Sequence, residues 1–279
     1  MSKGTSIGII GGTGSMGQWF GKFFSDAGHT ILISGRKTEL TPADITKKCE
    51  VVILSLPLDV AITVSGEIGP LLSNTQLLMD LCSLKEKMLK SMLGSTSAEV
   101  IGTHPLFGPF TDSIRGQNVI LCPGRGERWL KWLENEYISK GAFVTVMGPS
   151  VHDRQMAVVQ GLIHFLTICM GRTLQKMNMD ADTALSCSTP VFKINYDLIG
   201  RLFAQDLGLY QSLISKNIHF SDVLDLFLSV VDEGRDSLLS GQDEKGSLFL
   251  ESVRDFFKDS CLDSLEESNK FINALYVEQ

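Results

Sequence analysis

The chain has 279 residues, 43% hydrophobic and 20% charged, an ordinary composition for one large or two modest globular domains. A formal net charge of -7 and an isoelectric point near 5.3, with no basic run, argue against a nucleic-acid surface. No apolar stretch reads as the roughly 18 residues of a membrane span, and the opening MSKGTSIGII lacks the shape of a signal peptide.

Residues 6–11 form a short apolar run that ends in glycines and reads as a strand. A helical pattern follows over 16–24 and breaks at Gly28. A second strand is expected at 30–34, and further strands at 51–55, 77–81, 99–102, 118–122 and 143–147. Helices are expected at 58–72, 84–93 and 127–140. Strands alternating with helices predict an α/β fold, a mostly parallel sheet covered on both faces. After Gly148-Pro149-Ser150 the periodicity is helical alone, as in Met156, Val159, Leu162, Ile163 and Leu166. The chain therefore divides, on this reading, into residues 1–150 and an all-helical C-terminal domain, 151–279. The six cysteines (49, 82, 122, 169, 187 and 261) form no CxxC pair and read as reduced core thiols of a cytoplasmic protein. Neither they nor the five scattered histidines have the spacing of a metal site.

Gly12-Thr13-Gly14-Ser15-Met16-Gly17 is G-x-G-x-x-G between a strand and a helix, the context that makes the motif a dinucleotide site. The N-terminal domain thus reads as Rossmann-type. Gly12 is expected to permit the tight turn, Gly14 to let the pyrophosphate approach, and Gly17 to let helix and strand pack. The helix N-terminus then faces the phosphates. The second strand ends in Ser34-Gly35-Arg36-Lys37, with no carboxylate for a ribose 2′-hydroxyl. Ser34, Arg36 and Lys37 suit a 2′-phosphate, which predicts NADP rather than NAD, the plainer reading of Arg36 and Lys37 being a solvated surface pair. Pro57 is expected to shape the loop beside the nicotinamide.

In GTHPLFGPF (102–110), two prolines and two glycines frame His104. A histidine in so stiff a loop suggests a group that must meet something at a set distance. The plainer reading is a strand that ends at Pro105.

DLCSLK (80–85), THPLFGP (103–109), VVQGLIHF (158–165) and IGRLFAQDLGLY (199–210) follow the glycine turn in that order. Together they resemble the prephenate dehydrogenase family, most closely the dehydrogenase half of bifunctional chorismate mutase–prephenate dehydrogenases. The likeness extends to about residue 260. With the first strand starting about six residues in, no preceding mutase domain is expected, and the chain reads as monofunctional.

The resemblance implies oxidative decarboxylation of prephenate to 4-hydroxyphenylpyruvate. It makes His104 the acceptor of the ring-hydroxyl proton, and it puts the Ser83 hydroxyl near that same group and the nicotinamide. A helix N-cap is the other role open to Ser83. Arg201 is assigned a substrate carboxylate, the alternative being a buried ion pair with Asp197 or Asp206. His164 and Gln160 are expected at the substrate pocket, and Tyr210 has no clear role. Lys85 stays outside the catalytic set, and His152 and His219 read as surface or loop residues. The apolar faces 156–170, 191–203 and 223–231 suit an intramolecular bundle equally well as a dimer, and the resemblance implies a homodimer formed through the helical domain.

Arogenate dehydrogenase is the nearest alternative, and no residue separates the two substrates. A 6-phosphogluconate-type enzyme would place a lysine in the first helix of the second domain, yet 155–171 contain none. A non-catalytic NADP-binding module should lack His104 and Arg201 together, whereas both are present.

Overall fold

The computed structural model describes residues 4–275. A seven-stranded sheet has the order β2-β1-β3-β4-β5-β6-β7. Its strands are β1 Ser6–Ile10, β2 Thr30–Ser34, β3 Val51–Leu54, β4 Leu77–Asp80, β5 Glu99–Pro105, β6 Asn118–Arg125 and β7 Phe143–Val146. β1 to β5 pair in parallel, β6 runs antiparallel to β5, and β7 is parallel to β6. The Rossmann-type, mostly parallel sheet expected from the alternation of elements is thus present.

Alternation along the strands builds two cores. Val51, Ile53, Leu77 and Met79 join Phe20, Phe24, Trp129 and Tyr137 on one face. Val52, Leu54 and Leu78 join Ile45, Met88 and Met92 on the other. Both faces are covered, which is why these strands read as unbroken apolar runs.

The helices between the strands are α1 Ser15–Asp26, α2 Pro42–Lys48, α3 Leu58–Ile68, α4 Glu86–Ser95 and α5 Arg128–Ser139. The segment 58–72 is shorter than expected as α-helix, because Pro70 tightens its end into a 3₁₀ turn over Gly69–Leu71. α2 was not among the expected helices. Its signal lies in Thr41-Pro42-Ala43-Asp44, a capping box with proline at the first turn, in which Thr41 and Asp44 bond each other's backbone N–H.

From residue 149 onward the described chain is helical: α6 Pro149–Met156, α7 Ile163–Lys176, α8 Ala181–Ser186, α9 Pro190–Phe203, α10 Leu207–Ser215, α11 Phe220–Leu238, α12 Asp243–Phe257 and α13 Ser260–Ala274. A π-helical stretch, Ala157–Leu162, joins α6 to α7.

The chain forms two compact units, Met1–Val159 with Gln211–Ile218, and Gln160–Tyr210 with His219–Gln279. The division falls inside the π-helical stretch. The segment 211–218 returns to the first unit, where Lys216 pairs with Asp59 and Asn217 Nδ2 donates to the Asp153 carbonyl at 2.7 Å.

Two readings are corrected here. The continuous helix Pro149–Lys176 has 28 residues and a window of mean hydropathy 1.4, so by length and composition it is apolar enough to cross a membrane. The polar residues scattered through it, such as Gln160 and His164, disguise the run. The cysteines are all free, but only Cys49, Cys82 and Cys122 are core thiols, and Cys169, Cys187 and Cys261 are exposed. Cys169 stands on α7 and Cys261 on α13, while Cys187 caps the end of α8.

Candidate active site

Parallel strands place β1, β3, β4 and β5 with their carboxyl ends along one sheet edge, where such folds bind ligands. The turn after β1 is tighter than its sequence suggests. Gly11 holds φ +84°, and a Cβ there would stand 2.2 Å from the Ser55 carbonyl oxygen. The left-handed residue is therefore Gly11, not Gly12. At Gly12 a Cβ would come within 2.6 Å of Ile33, and at Gly17 within 2.6 Å of the Gly11 carbonyl oxygen, so both allow close packing of the turn. Gly14 is exposed and leads into α1, whose first turn has no side-chain cap among the described residues. Thr13 and Ser15 are exposed and Met16 is half-buried. Such an open helix start over a glycine turn fits a dinucleotide pyrophosphate.

The end of β2 docks on that turn. Gly11 N and Gly12 N donate to the Ser34 carbonyl at 2.8 and 3.2 Å, and a Cβ on Gly35 would meet Thr13 Oγ1 at 2.7 Å. The Ser34 hydroxyl does not face outward as expected. It is buried and donates to the Leu40 carbonyl at 2.8 Å, which fixes the turn. Arg36 and Lys37 remain exposed on it. Pro57 takes the cap position of α3.

His104 lies inside β5, paired with Ile120 of β6, so sheet hydrogen bonding rather than a stiff loop holds its backbone. Its ring is 2% exposed. Nδ1 lies 2.8 Å from His152 Nε2, and His152 Nδ1 lies 2.7 Å from Asp153 Oδ1. His152 is wholly buried, contrary to its reading as a surface residue. The carboxylate can only accept, so His152 Nδ1 carries the proton and its Nε2 accepts one from His104 Nδ1. The lone pair of His104 is thereby fixed on Nε2. Burial first, then the closeness of the His152 ring and the Lys85 ammonium, holds His104 well below the usual histidine range. Burial alone would raise the Asp153 carboxyl. Its bonds from His152 and from the backbone N–H groups of Glu86 and Lys85 outweigh that and lower it.

Those backbone bonds correct a second reading. α4 begins at Glu86 and has no cap from its own sequence. Asp153 reaches over from α6, taking Lys85 N on Oδ1 at 2.8 Å and Glu86 N on Oδ2 at 2.9 Å. Ser83 is therefore not the N-cap. It is half-buried in the turn after β4, which is pinned at both ends. Cys82 N donates to Asp80 Oδ2 at 2.8 Å. Lys85 is fully buried, with Nζ on Asp80 and on the Thr103 carbonyl, the latter at 2.9 Å. A Cβ on Gly102 would stand 2.9 Å from Lys85 Cδ, so Gly102 leaves the lysine its room. Full burial removes Lys85 as a substrate contact.

In the helical unit, Arg201 is exposed on the last turn of α9. The ion pairs considered for it do not form: Asp197 pairs with Lys193, and Asp206 Oδ1 accepts Gly208 N. His164 packs its ring edge-on against Tyr210, with centroids 4.8 Å apart. Burial lowers the His164 pKa. Burial raises the Tyr210 phenol, and the Arg201 charge pulls it back in part. His164, Tyr210 and Arg201 thus share one neighbourhood. Gln160 lies in the π-helical stretch, a distortion often found at functional sites.

The sequence hid the His152–Asp153 pair because neighbouring polar residues at a helix start look solvated. The usable signal was the helical spacing of His152 and Asp153 with Met156, all three buried.

Comparison with known proteins gives a consistent result. Residues 32–146 match the family model for the prephenate dehydrogenase nucleotide-binding domain, and 148–252 match that for the prephenate dehydrogenase dimerization domain. A probable arogenate/prephenate dehydrogenase of Methanocaldococcus jannaschii is 33% identical over 247 residues, covering 82% of this chain and 55% of that protein. The T-protein of Haemophilus influenzae is 31% identical over 265 residues, 95% of this chain and 70% of its own length. The chain thus spans little more than half of the first relative. Among solved structures, A. aeolicus prephenate dehydrogenase in complex with hydroxyphenyl propionate and NAD+ superposes with a TM-score of 0.71 at 20% identity, covering 90% of this chain and 96% of that one. Synechocystis arogenate dehydrogenase gives 0.70 at 16% identity, covering 91% and 100%. At these identities the two structures speak for the fold.

Proposed function

The chain belongs to the prephenate dehydrogenase family, and we propose that it catalyses the oxidative decarboxylation of prephenate to 4-hydroxyphenylpyruvate with NADP. The observation that carries this reading is the buried His104–His152–Asp153 relay at the carboxyl edge of the sheet. NADP, when bound, supplies the nicotinamide carbon that takes the hydride from the ring carbon bearing the hydroxyl. Residues Gly12 to Gly17 hold its pyrophosphate, Arg36 and Lys37 its 2′-phosphate, and Pro57 borders the nicotinamide.

His104 Nε2 accepts the proton of the substrate ring hydroxyl as the hydride departs. The imidazolium so formed shares its Nδ1–H with His152, and the Asp153 carboxylate steadies the positive charge. The bond to the ring carboxylate breaks, CO2 leaves, and the released electron pair completes the aromatic ring as a phenolate, to which His104 returns the proton, giving 4-hydroxyphenylpyruvate and the free base. Ser83 contacts the same hydroxyl. The Arg201 guanidinium binds a substrate carboxylate bidentately, and His164 and Gln160 line the pocket.

Arogenate, with an amino group in place of the side-chain ketone, is the second reading, since the name of the M. jannaschii relative gives both substrates. Reduction of NADP and of NAD, followed at 340 nm with prephenate and with arogenate, decides among the four combinations. Turnover with NADP and prephenate is expected to be fastest. No turnover in any combination overturns the reading, and a lower KM for NAD overturns the cofactor assignment.

The same reading makes the protein a homodimer. Val159 and Ile163, Val191, Leu198 and Phe203, and Leu226 and Val230 are exposed on the helical segments expected to pair, in the region that matches a dimerization domain. A second copy covering them also accounts for the span-like hydropathy of Pro149–Lys176. Six free cysteines fit a cytoplasmic setting. Sedimentation at micromolar concentration should give a dimer, and a monomer would count against it.

A further inference from the structure

The loop 106–117 leaves the strand that holds His104 and returns as β6. Its two ends are tied down: Leu106 N donates to the Asn118 carbonyl of β6 at 2.9 Å, and Gly116 N to the Gly141 carbonyl, in the turn before β7, at 2.8 Å. Within 107–113 the backbone makes a local turn, Thr111 N to the Gly108 carbonyl at 3.1 Å. Among the described residues, the hydrogen bond joining 107–113 to the rest of the unit comes from Trp19. Its indole Nε1 donates to the Thr111 carbonyl at 2.6 Å, across 92 residues of sequence.

Trp19 lies one turn into α1, the helix that opens at the glycine turn. The ring lies 4.8 Å from Phe107 and stacks on Phe23 at 5.7 Å, while Phe20 stacks on Phe107 at 6.3 Å. One aromatic cluster therefore includes the helix of the dinucleotide turn and the loop beyond His104. A phenylalanine or leucine at position 19 could fill the same space. Only the indole adds a directed N–H, and a partly buried one seeks an acceptor.

We propose that Trp19 is a positioning residue that latches the His104 loop to the dinucleotide helix, so that filling the cofactor site steadies the loop on the substrate side. The inference rests on the reading of Gly12 to Gly17 as a cofactor site and of His104 as the proton acceptor. The latch acts through another residue's geometry and touches neither the substrate nor the cofactor.

Hydrogen exchange of the full-length protein with and without NADPH tests the coupling without reference to turnover. NADPH should slow exchange at residues 11–17 and also at 106–117 in the unaltered protein. In Trp19→Phe, which keeps a ring but loses the N–H, protection at 11–17 should persist and protection at 106–117 should be lost. Where substrate turnover is measurable, the same variant should lower kcat roughly three- to tenfold, the loss of one directed hydrogen bond, with the NADPH Kd within twofold. Trp19→Leu should lower kcat to the same extent. Loop exchange that ignores NADPH in the unaltered protein overturns the proposal, as does a Trp19→Phe protein whose loop is still protected. If NADPH does not protect 11–17 at all, the cofactor site itself is wrong. An inactive but coupled protein would instead refute the substrate assignment alone.

Discussion

Replacing His152 with leucine removes the acceptor of the His104 Nδ1 proton and leaves a similar apolar volume. Both rings lie under 3% exposed and 2.8 Å apart between ring nitrogens, so no water takes the vacated place easily. In the resting site the lost bond is neutral. Once His104 holds the substrate proton the bond becomes charge-assisted, worth about 1.5–3 kcal/mol. That stabilisation belongs to the protonated imidazole and is felt in kcat rather than in substrate binding. At about 1.4 kcal/mol per factor of ten, kcat should fall roughly 10- to 150-fold. Steady-state kinetics should show the substrate KM within about threefold and the NADPH Kd unchanged, with circular dichroism confirming the fold. A kcat within twofold of the parent would refute the relay, and a parallel collapse of KM and NADPH binding would show that His152 is structural only.

The wild-type pH profile is a separate check. His104 is held below the ordinary histidine range by burial and by the closeness of the His152 ring and the Lys85 ammonium, so its base form persists as pH falls through 6.5. Accordingly kcat should stay flat there and decline only at lower pH, whereas an acid limb centred at or above 6.5 would contradict the burial argument. Arg36→Ala combined with Lys37→Ala should raise the KM for NADP about tenfold or more and leave that for NAD within twofold, since the lost contacts meet only the extra phosphate; equal changes would sink the assignment. Arg201→Lys should raise the substrate KM strongly with little change in kcat, because an ammonium loses the bidentate fit, and an unchanged KM would reject the carboxylate role. Lys85→Met leaves the Asp80 carboxylate buried without its cation, which should cost about 3–5 kcal/mol in urea unfolding. Adding Asp80→Asn should recover part of it, and a single-variant cost under about 1 kcal/mol would mean the pair is not held as described.

What the sequence disclosed and what it concealed divide along a physical line. Local periodicity carries the sheet: Val51–Leu54 and Leu77–Asp80 are apolar because both faces are covered, and that pattern is readable without a partner. The turn Gly12–Gly17 is equally local, since helix start and glycine spacing lie within one loop. Errors arose where a side chain's role is set by a residue far along the chain. Ser83 looked like a cap because the true cap, Asp153, is 67 positions from the Glu86 amide it binds. His152 looked exposed because its partner His104 is 48 positions away. Ser34 looked ligand-facing because its acceptor, Leu40, lies around a turn whose geometry depends on Thr38 binding Gly35.

These long-range ties concentrate at one sheet edge. Asp153 joins α6 to α4, Lys85 joins β4 to β5, and His152 joins α6 to β5. Each buries polar groups that are costly without partners drawn from several elements, so such clusters are positioned by the whole unit rather than by any segment. The quoted motif THPLFGP contains His104 but not the pair behind it, because His152 and Asp153 lie outside every stretch that carries the resemblance. The relay is therefore the part of the site where geometry adds most to the sequence, and the part whose disruption should change the chemistry before it changes the fold.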